Sequence, residues 1–120
     1  ARFVARNLLF VDQVALMGLE LTGFARSNLD ALWIDPVDYQ RELRESVEIL
    51  ERAGLNVSIY NTPLCVLASE LHRFARASIS DWKNSYFEEC EGCALRVQCG
   101  GFFASSVLRR SRGIVRVAPE

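Results

Sequence analysis

Val14-Ala-Leu-Met-Gly-Leu19 and Leu55-Asn-Val-Ser-Ile-Tyr60 are the two stretches that decide the fold of this chain of 120 residues. The first is a nearly continuous apolar run, which is typical of a strand buried on both faces in a parallel sheet. The second alternates apolar and polar residues, which predicts a strand that ends near Asn61.

A helix is predicted between the two strands. Asp35 suits the N-cap and Pro36 suits the first helical position, where its missing N–H costs nothing. Gly54 ends the helix, since glycine enters the left-handed conformation without a penalty. One apolar stripe recurs at spacings of four, four and three, and consists of Tyr39, Leu43, Val47 and Leu50. Strand, helix and strand make a βαβ unit with parallel strands and a right-handed crossover, so the predicted class is α/β.

Function is expected beyond the carboxyl ends of the two strands, where parallel α/β sheets bind their ligands. The segment from Glu20 to Asp35 leaves the first strand and is predicted to be a long functional loop. The side chains placed near these two ends are Glu20, Thr22, Ser58, Asn61 and Cys65. An ordinary loop carboxylate and a turn-forming threonine remain the alternative for Glu20 and Thr22.

The composition excludes several classes of partner. With 14 basic and 15 acidic residues the formal net charge is −1, which gives no general attraction to nucleic acid or to an anionic membrane. No apolar run approaches the roughly 18 residues of a membrane helix. Ala1-Arg-Phe-Val4 has no apolar core of a secretory signal, so the four cysteines are expected in a reducing, cytoplasmic setting, where clustered thiols favour metal binding.

The four cysteines predict one metal centre. Two residues separate Cys90 from Cys93, five separate Cys93 from Cys99, and Cys65 lies 25 positions before Cys90. A C-x2-C turn directs two thiolates at one site, and Gly100-Gly101 lets the backbone pass close to it. Spacing alone leaves zinc and an iron–sulfur cluster nearly equal. Buried free thiols, or a redox pair of Cys90 and Cys93, are the remaining alternatives.

The flanking residues add a resemblance. Ser78-Ile-Ser-Asp-Trp-Lys-Asn84 and Cys90-x2-Cys93-x5-Cys99-Gly-Gly-Phe-Phe103 resemble the C-terminal region of radical SAM peptide maturases, most closely the group of the His-Xaa-Ser system. The segments Met17-Gly-Leu-Glu-x-Thr-Gly23, Trp33-Ile-Asp-Pro36 and Tyr60-Asn-x2-Leu-Cys65 are similar to that group too. The similarity covers residues 11–113, and its cysteine core also occurs in SPASM and Twitch auxiliary-cluster domains.

The resemblance implies the C-terminal part of a partial (β/α) radical SAM barrel in residues 1–64, followed by an irregular, Cys-rich cluster-binding region in residues 65–120. It implies an auxiliary [4Fe–4S] cluster in an enzyme that modifies a ribosomally made peptide or protein. The implied cluster ligands are Cys65, Cys90, Cys93 and Cys99. The side chains implied to face the substrate or S-adenosylmethionine (SAM) are Glu20, Thr22, Ser58 and Asn61. The alternative is a non-catalytic structural zinc module with the same four cysteines.

The sequence departs from the family at one point, because it contains no C-x3-C-x2-C motif for the SAM-binding cluster. SAM and that second [4Fe–4S] cluster are therefore expected only in a full-length parent, contributed by a missing N-terminal half or a partner chain. We expect this chain to be a C-terminal fragment that is inactive alone. It should expose a strand edge and an apolar face, and be poorly soluble or oligomeric. His72 is expected to be exposed, and the basic residues after position 108 are expected to form a solvated terminus.

Overall fold

A computed structural model of the chain describes residues 1–79 and 84–120. The central part of the Ser78–Asn84 motif, including Trp82, lies outside the described residues. The α-helices are α1 (Arg2–Asn7), α2 (Gly23–Ser27), α3 (Leu29–Leu32) and α4 (Gln40–Arg52), and the strands are β1 (Gln13–Met17), β2 (Asn56–Tyr60) and β3 (Ala75–Arg76). Single 3-10 turns or short 3-10 helices span Pro36–Tyr39, Ser69–Phe74, Glu88–Cys90 and Ala104–Leu108.

The described strands form one parallel sheet in the order β1-β2-β3. β1 and β2 pair in register from Gln13 with Asn56 to Met17 with Tyr60. The βαβ unit and the α/β class are thus confirmed. β3 pairs with the end of β2 through Ala75 and Arg76.

The helical segment between the strands begins at the predicted residue, but as a 3-10 turn that precedes α4, and it ends at Gly54 as predicted. Asp35 caps it, since its Oδ1 accepts the N–H of Val37 at 3.1 Å, and Pro36 follows in a 3-10 turn that continues into α4. Gly54 stops the helix with φ at +77°, a region that favours glycine. The cap, the proline and the glycine therefore act as the sequence indicates.

The core lies between α4, β2 and the 3-10 helix Ser69–Phe74. α4 contributes Val47 and Leu50, which are almost completely buried because they occupy the centre of its apolar stripe. The other buried members of this core are Leu55, Val57, Ile59, Leu64, Leu67, Leu71 and Phe74. Leu71 and Phe74 are both buried in this core, so the chain just after Cys65 is fixed against it.

Two expectations about the first strand and the segment that follows it are wrong. β1 is an edge strand whose side chains alternate between exposed and half-buried, and Met17 is 65% exposed, so it is not buried on both faces. The segment from Glu20 to Asp35 is not one long loop, because it contains α2 and α3. Helices of five and four residues are too short to show an apolar period in the sequence.

Residues 85–120 contain short 3-10 turns and an antiparallel bridge between Ser85 and Phe102, and are otherwise irregular. No helix among the described residues is long and apolar enough to cross a membrane.

Candidate metal centre

The four cysteines line one cavity next to the carboxyl end of β2. Cys65 lies in the turn that follows β2, and the other three thiols come from residues 90–99. The remaining walls are Pro63, Tyr86, Leu95, Arg96, Phe102 and Val115. All four cysteines are half-buried free thiols. The fold therefore brings a thiol that is remote in sequence to the C-x2-C-x5-C loop.

Successive tight turns carry the three thiols of this loop. The N–H of Cys93 donates to the carbonyl of Cys90 at 3.3 Å, and the N–H of Cys99 donates to that of Leu95 at 2.9 Å. Gly92 turns the chain between the first two cysteines with φ at +67°. Turns of this kind bring side chains close together in space when two or five residues separate them in sequence.

Backbone N–H groups surround the sulfur of Cys99. Leu64 N and Gly101 N donate to Cys99 Sγ at 3.5 and 3.4 Å. Gly101 has φ at +69°, and a Cβ built on it would lie 2.5 Å from the carbonyl oxygen of Ser85. Glycine is thus required there, which agrees with the predicted close passage of the backbone.

Two of the thiols have shifted pKa values, in opposite directions. Burial, reinforced by the nearby Cys99 and Cys90, raises the pKa of Cys65 against the lowering effect of a backbone hydrogen bond from Val115. Backbone hydrogen bonds from Val117, Leu95 and Arg96, with the charge of Arg116, lower the pKa of Cys93. Cys93 is therefore the more readily ionised of the two.

The donor chemistry of the cavity suits a metal centre. Thiolates are the ligands of zinc and of iron–sulfur clusters, and N–H groups directed at sulfur stabilise their negative charge. Within residues 1–79 and 84–120, however, no three His, Cys, Asp or Glu side chains are grouped so as to hold a metal ion. The cavity therefore fits a thiolate-bound metal in two respects: its side chains are of the right type, and all four line the same cavity.

A second cavity, of about 270 Å³, opens beyond the carboxyl ends of β1 and β2. Trp33, Tyr39 and Asn61 contribute to its lining, with Arg109 and Arg110 from the far end of the chain. Pro63 and Phe102 line both this cavity and the cysteine cavity. The two cavities therefore share a wall.

Of the four side chains implied to face substrate or SAM, Asn61 lies in this second cavity. Its Nδ2 donates to Gly18 O at 3.3 Å, and its backbone is left-handed, with φ at +61°. Glu20 and Thr22 do not contribute to the described lining of either cavity, and Thr22 is the N-cap residue of α2. Ser58 is buried in the middle of β2, where its Oγ accepts from Gln13 Nε2 at 2.6 Å.

Sequence reasoning missed the role of His72. The residue is half-buried instead of exposed, and its Nε2 lies 2.9 Å from Leu64 O and 3.0 Å from Leu67 O. These two carbonyls lie on either side of Cys65 in the chain. One ring N–H shared between them holds the turn that carries this thiol. The sequence gives no signal for such a contact, because it depends on how the 3-10 helix Ser69–Phe74 folds back.

The basic terminus makes ion pairs that the sequence did not predict. The pairs are Arg109 with Asp30, Arg110 with Glu89, and Arg112 with both Asp35 and Asp38. The three arginine side chains are 38%, 45% and 63% exposed, so they remain solvated as expected while pairing within the chain.

No protein-family model, curated protein or solved structure matches this chain. The class of protein is therefore defined by the structure alone. It is a parallel α/β unit joined to an irregular segment, with a cavity lined by four thiols.

Proposed function

We propose that the chain is the C-terminal, auxiliary [4Fe–4S] cluster-binding portion of a radical SAM enzyme that modifies a ribosomally made peptide or protein. The observation that supports this proposal is the common cavity of Cys65, Cys90, Cys93 and Cys99 next to the carboxyl end of β2. A cubane cluster takes one thiolate on each of four irons, and the cavity offers four thiols.

The surroundings of the thiols favour a redox centre. The N–H groups of Leu64 and Gly101 at Cys99 would offset thiolate charge and tune the potential. Phe102 and Pro63 shield the cavity from water on one side. When bound, the cluster would supply an electron relay or an anchoring point for substrate.

The second cavity is the proposed place for part of the peptide substrate. It lies beyond the carboxyl ends of parallel strands, where such folds bind ligands, and it is separated from the cysteine cavity only by shared walls. Asn61 offers the amide that could hydrogen-bond a peptide group there. SAM and its own cluster belong to the full-length parent, contributed by an N-terminal half or a partner chain.

Removing one thiol tests the cluster assignment. Cys93→Ala should lower the iron retained after anaerobic reconstitution to a small fraction of that in the unchanged chain, because one iron loses its protein ligand. Val97→Ala is the matched control, since Val97 lies in the same loop and is 98% exposed. Equal iron in both variants would contradict the assignment of Cys93 as a ligand.

The absence of C-x3-C-x2-C from this sequence leads to a second expectation. The reconstituted chain, incubated with SAM and a strong reductant, should form no 5′-deoxyadenosine, since no iron with an open coordination position is provided by the four-thiol site. Chromatography with mass detection measures the product. Formation of 5′-deoxyadenosine by the isolated chain would overturn the proposal that SAM cleavage needs the full-length parent.

A further inference from the structure

The C-terminal strap, defined here as residues 109–117, runs from Asp35, just before α4, to the cysteine cavity. It leaves the 3-10 helix Ala104–Leu108 and is held by ion pairs of Arg109 with Asp30 and of Arg110 with Glu89, each at 2.7 Å. All four of these side chains are substantially exposed, so each pair contributes little by itself. A stronger attachment point is needed to hold the strap in place.

Asp35 provides that attachment. The residue is 6% exposed, and both of its carboxylate oxygens accept hydrogen bonds from the strap. Oδ1 accepts from Ser111 Oγ at 2.5 Å, and Oδ2 accepts from Arg112 N at 3.0 Å and Arg112 Nη1 at 3.3 Å. A buried carboxylate with several N–H and O–H donors forms strong, charge-assisted hydrogen bonds. Asp35 therefore ties the strap to the start of α4.

Beyond Asp35, the strap reaches the cysteines. Val115 lines the cysteine cavity together with Cys65. Two residues later, Val117 O accepts the N–H of Ala94 at 2.9 Å, beside Cys93. The strap thus contacts both the Cys65 turn and the Cys90–Cys99 loop.

We propose that Asp35 is a positioning residue for the cysteine cavity, which it controls by anchoring the C-terminal strap beside Cys65 and at Ala94, next to Cys93. This role deepens the cluster site proposed above, because the strap would then hold two of the ligand-bearing turns together. Its test uses the metal-free, reduced chain, so that failure here is separate from failure of the cluster proposal.

Asp35→Asn is a selective variant. The amide keeps an oxygen where Oδ1 accepts from Val37 N and Ser111 Oγ, so the helix cap is retained. It places an NH2 group where Oδ2 accepts from Arg112, so that donors face donors. Glu48→Gln is the matched control, because it removes the same charge from an exposed position of α4.

The first readout is the rate at which a small alkylating reagent modifies each cysteine, measured by mass spectrometry of peptides. In Asp35→Asn the rate at Cys65 should rise about 5- to 30-fold, which is the usual change in an opening equilibrium when one contact of ordinary strength is lost. Cys99 is the internal reference, since its sulfur is held by Leu64 N and Gly101 N outside the strap. Its rate should change little.

The second readout is amide hydrogen exchange at Ala94, which should lose protection when the strap is released. Arg112→Gln serves as a second variant, because this side chain is exposed and its replacement weakens the same anchor from the strap side. It should reproduce the faster alkylation of Cys65 and the faster exchange of Ala94. Unchanged rates in both variants, or an equal increase at Cys65 and Cys99, would overturn the proposal.

Discussion

Gly101 shows how a single residue decides the shape of the candidate metal centre. Its φ is +69°, and its N–H donates to Cys99 Sγ while Ser85 O lies where a Cβ would be placed. Gly92 has a similar φ of +67°, but a Cβ built on it meets nothing within 4 Å. A side chain at position 92 would therefore suffer only backbone strain, whereas one at position 101 would also clash with Ser85.

Replacing these glycines should give unequal losses of stability. Gly92→Ala should cost about 1–2 kcal/mol of unfolding free energy, the penalty of a left-handed conformation for a residue with a Cβ. Gly101→Ala should cost more, because it adds a clash with the Ser85 backbone, and it should also reduce the iron bound after reconstitution. Denaturant unfolding and iron analysis measure the two effects, and equal losses in both variants would contradict the described packing.

At the residue level, four cysteines with a C-x2-C pair predict one metal centre. They line one cavity, and the metal itself stays a prediction. Ser58 illustrates the limit, because a polar residue in an alternating strand gives no sign that it is buried and bonded to Gln13. Asp35 takes its partners from residues 76 and 77 positions later in the chain, which no local pattern reveals. His72 reaches carbonyls eight and five positions earlier only because its 3-10 helix folds back onto them.

At the scale of elements, α4 and β2 were predictable because several local signals agree. A cap, a proline, an apolar stripe and a terminal glycine all indicate the same helix, and α4 packs its stripe on β2. By contrast, α2, α3 and β3 have five, four and two residues and depend on tertiary contacts. β1 was predicted as a strand, but its exposed faces follow from its position at the edge of the sheet.

Because the Asp35 carboxylate links the start of the helical segment to the strap, the free energy of unfolding should depend on pH in the acidic range. Burial alone would raise the pKa of Asp35, but hydrogen bonds from Ser111, Arg112 and Val37, with the charge of Arg112, lower it below its ordinary value of 3.8. A lowered folded-state pKa stabilises the fold above the unfolded-state value, and this stabilisation is lost as the pH falls through the folded-state value. The contribution should be complete above roughly pH 5 and decline at lower pH.

Urea unfolding at pH 7 and at pH 3 measures this dependence. The unchanged chain should lose more unfolding free energy between the two pH values than Asp35→Asn, which has no carboxyl at this position to titrate. Other carboxyls with lowered pKa values, such as Glu70 and Glu89, are present in both chains, so the comparison isolates Asp35. Equal pH dependence in the two chains would show that Asp35 does not hold the strap.

At the scale of the whole molecule, the described surface carries many large apolar side chains. They include Phe10, Met17, Leu19, Phe24 and Ile34, which are 80%, 65%, 51%, 89% and 61% exposed. Met17 lies on the edge strand β1, whose outer side has no neighbouring strand among the described residues. An edge strand with exposed apolar residues favours pairing with another chain. This surface suits the expected contact with a missing half or a partner.

The isolated chain should therefore self-associate, and Met17→Lys should shift it toward the monomer. Charge on an edge strand opposes strand pairing, whereas the unfolding midpoint should change little at so exposed a position. Val97→Lys is the control, because it makes the same change at an exposed site outside the sheet. Light scattering measures the outcome, and a monodisperse monomer for the unchanged chain would count against a surface meant for a partner.

The most direct test of the central claim is the metal and sulfide content of the unchanged chain after anaerobic reconstitution. A four-thiol cavity that holds one auxiliary cluster should bind four iron and four sulfide ions per chain, in a brown protein whose electron paramagnetic resonance signal appears on reduction. A colourless chain that binds one zinc ion and no sulfide would contradict the cluster and establish a structural zinc module in its place.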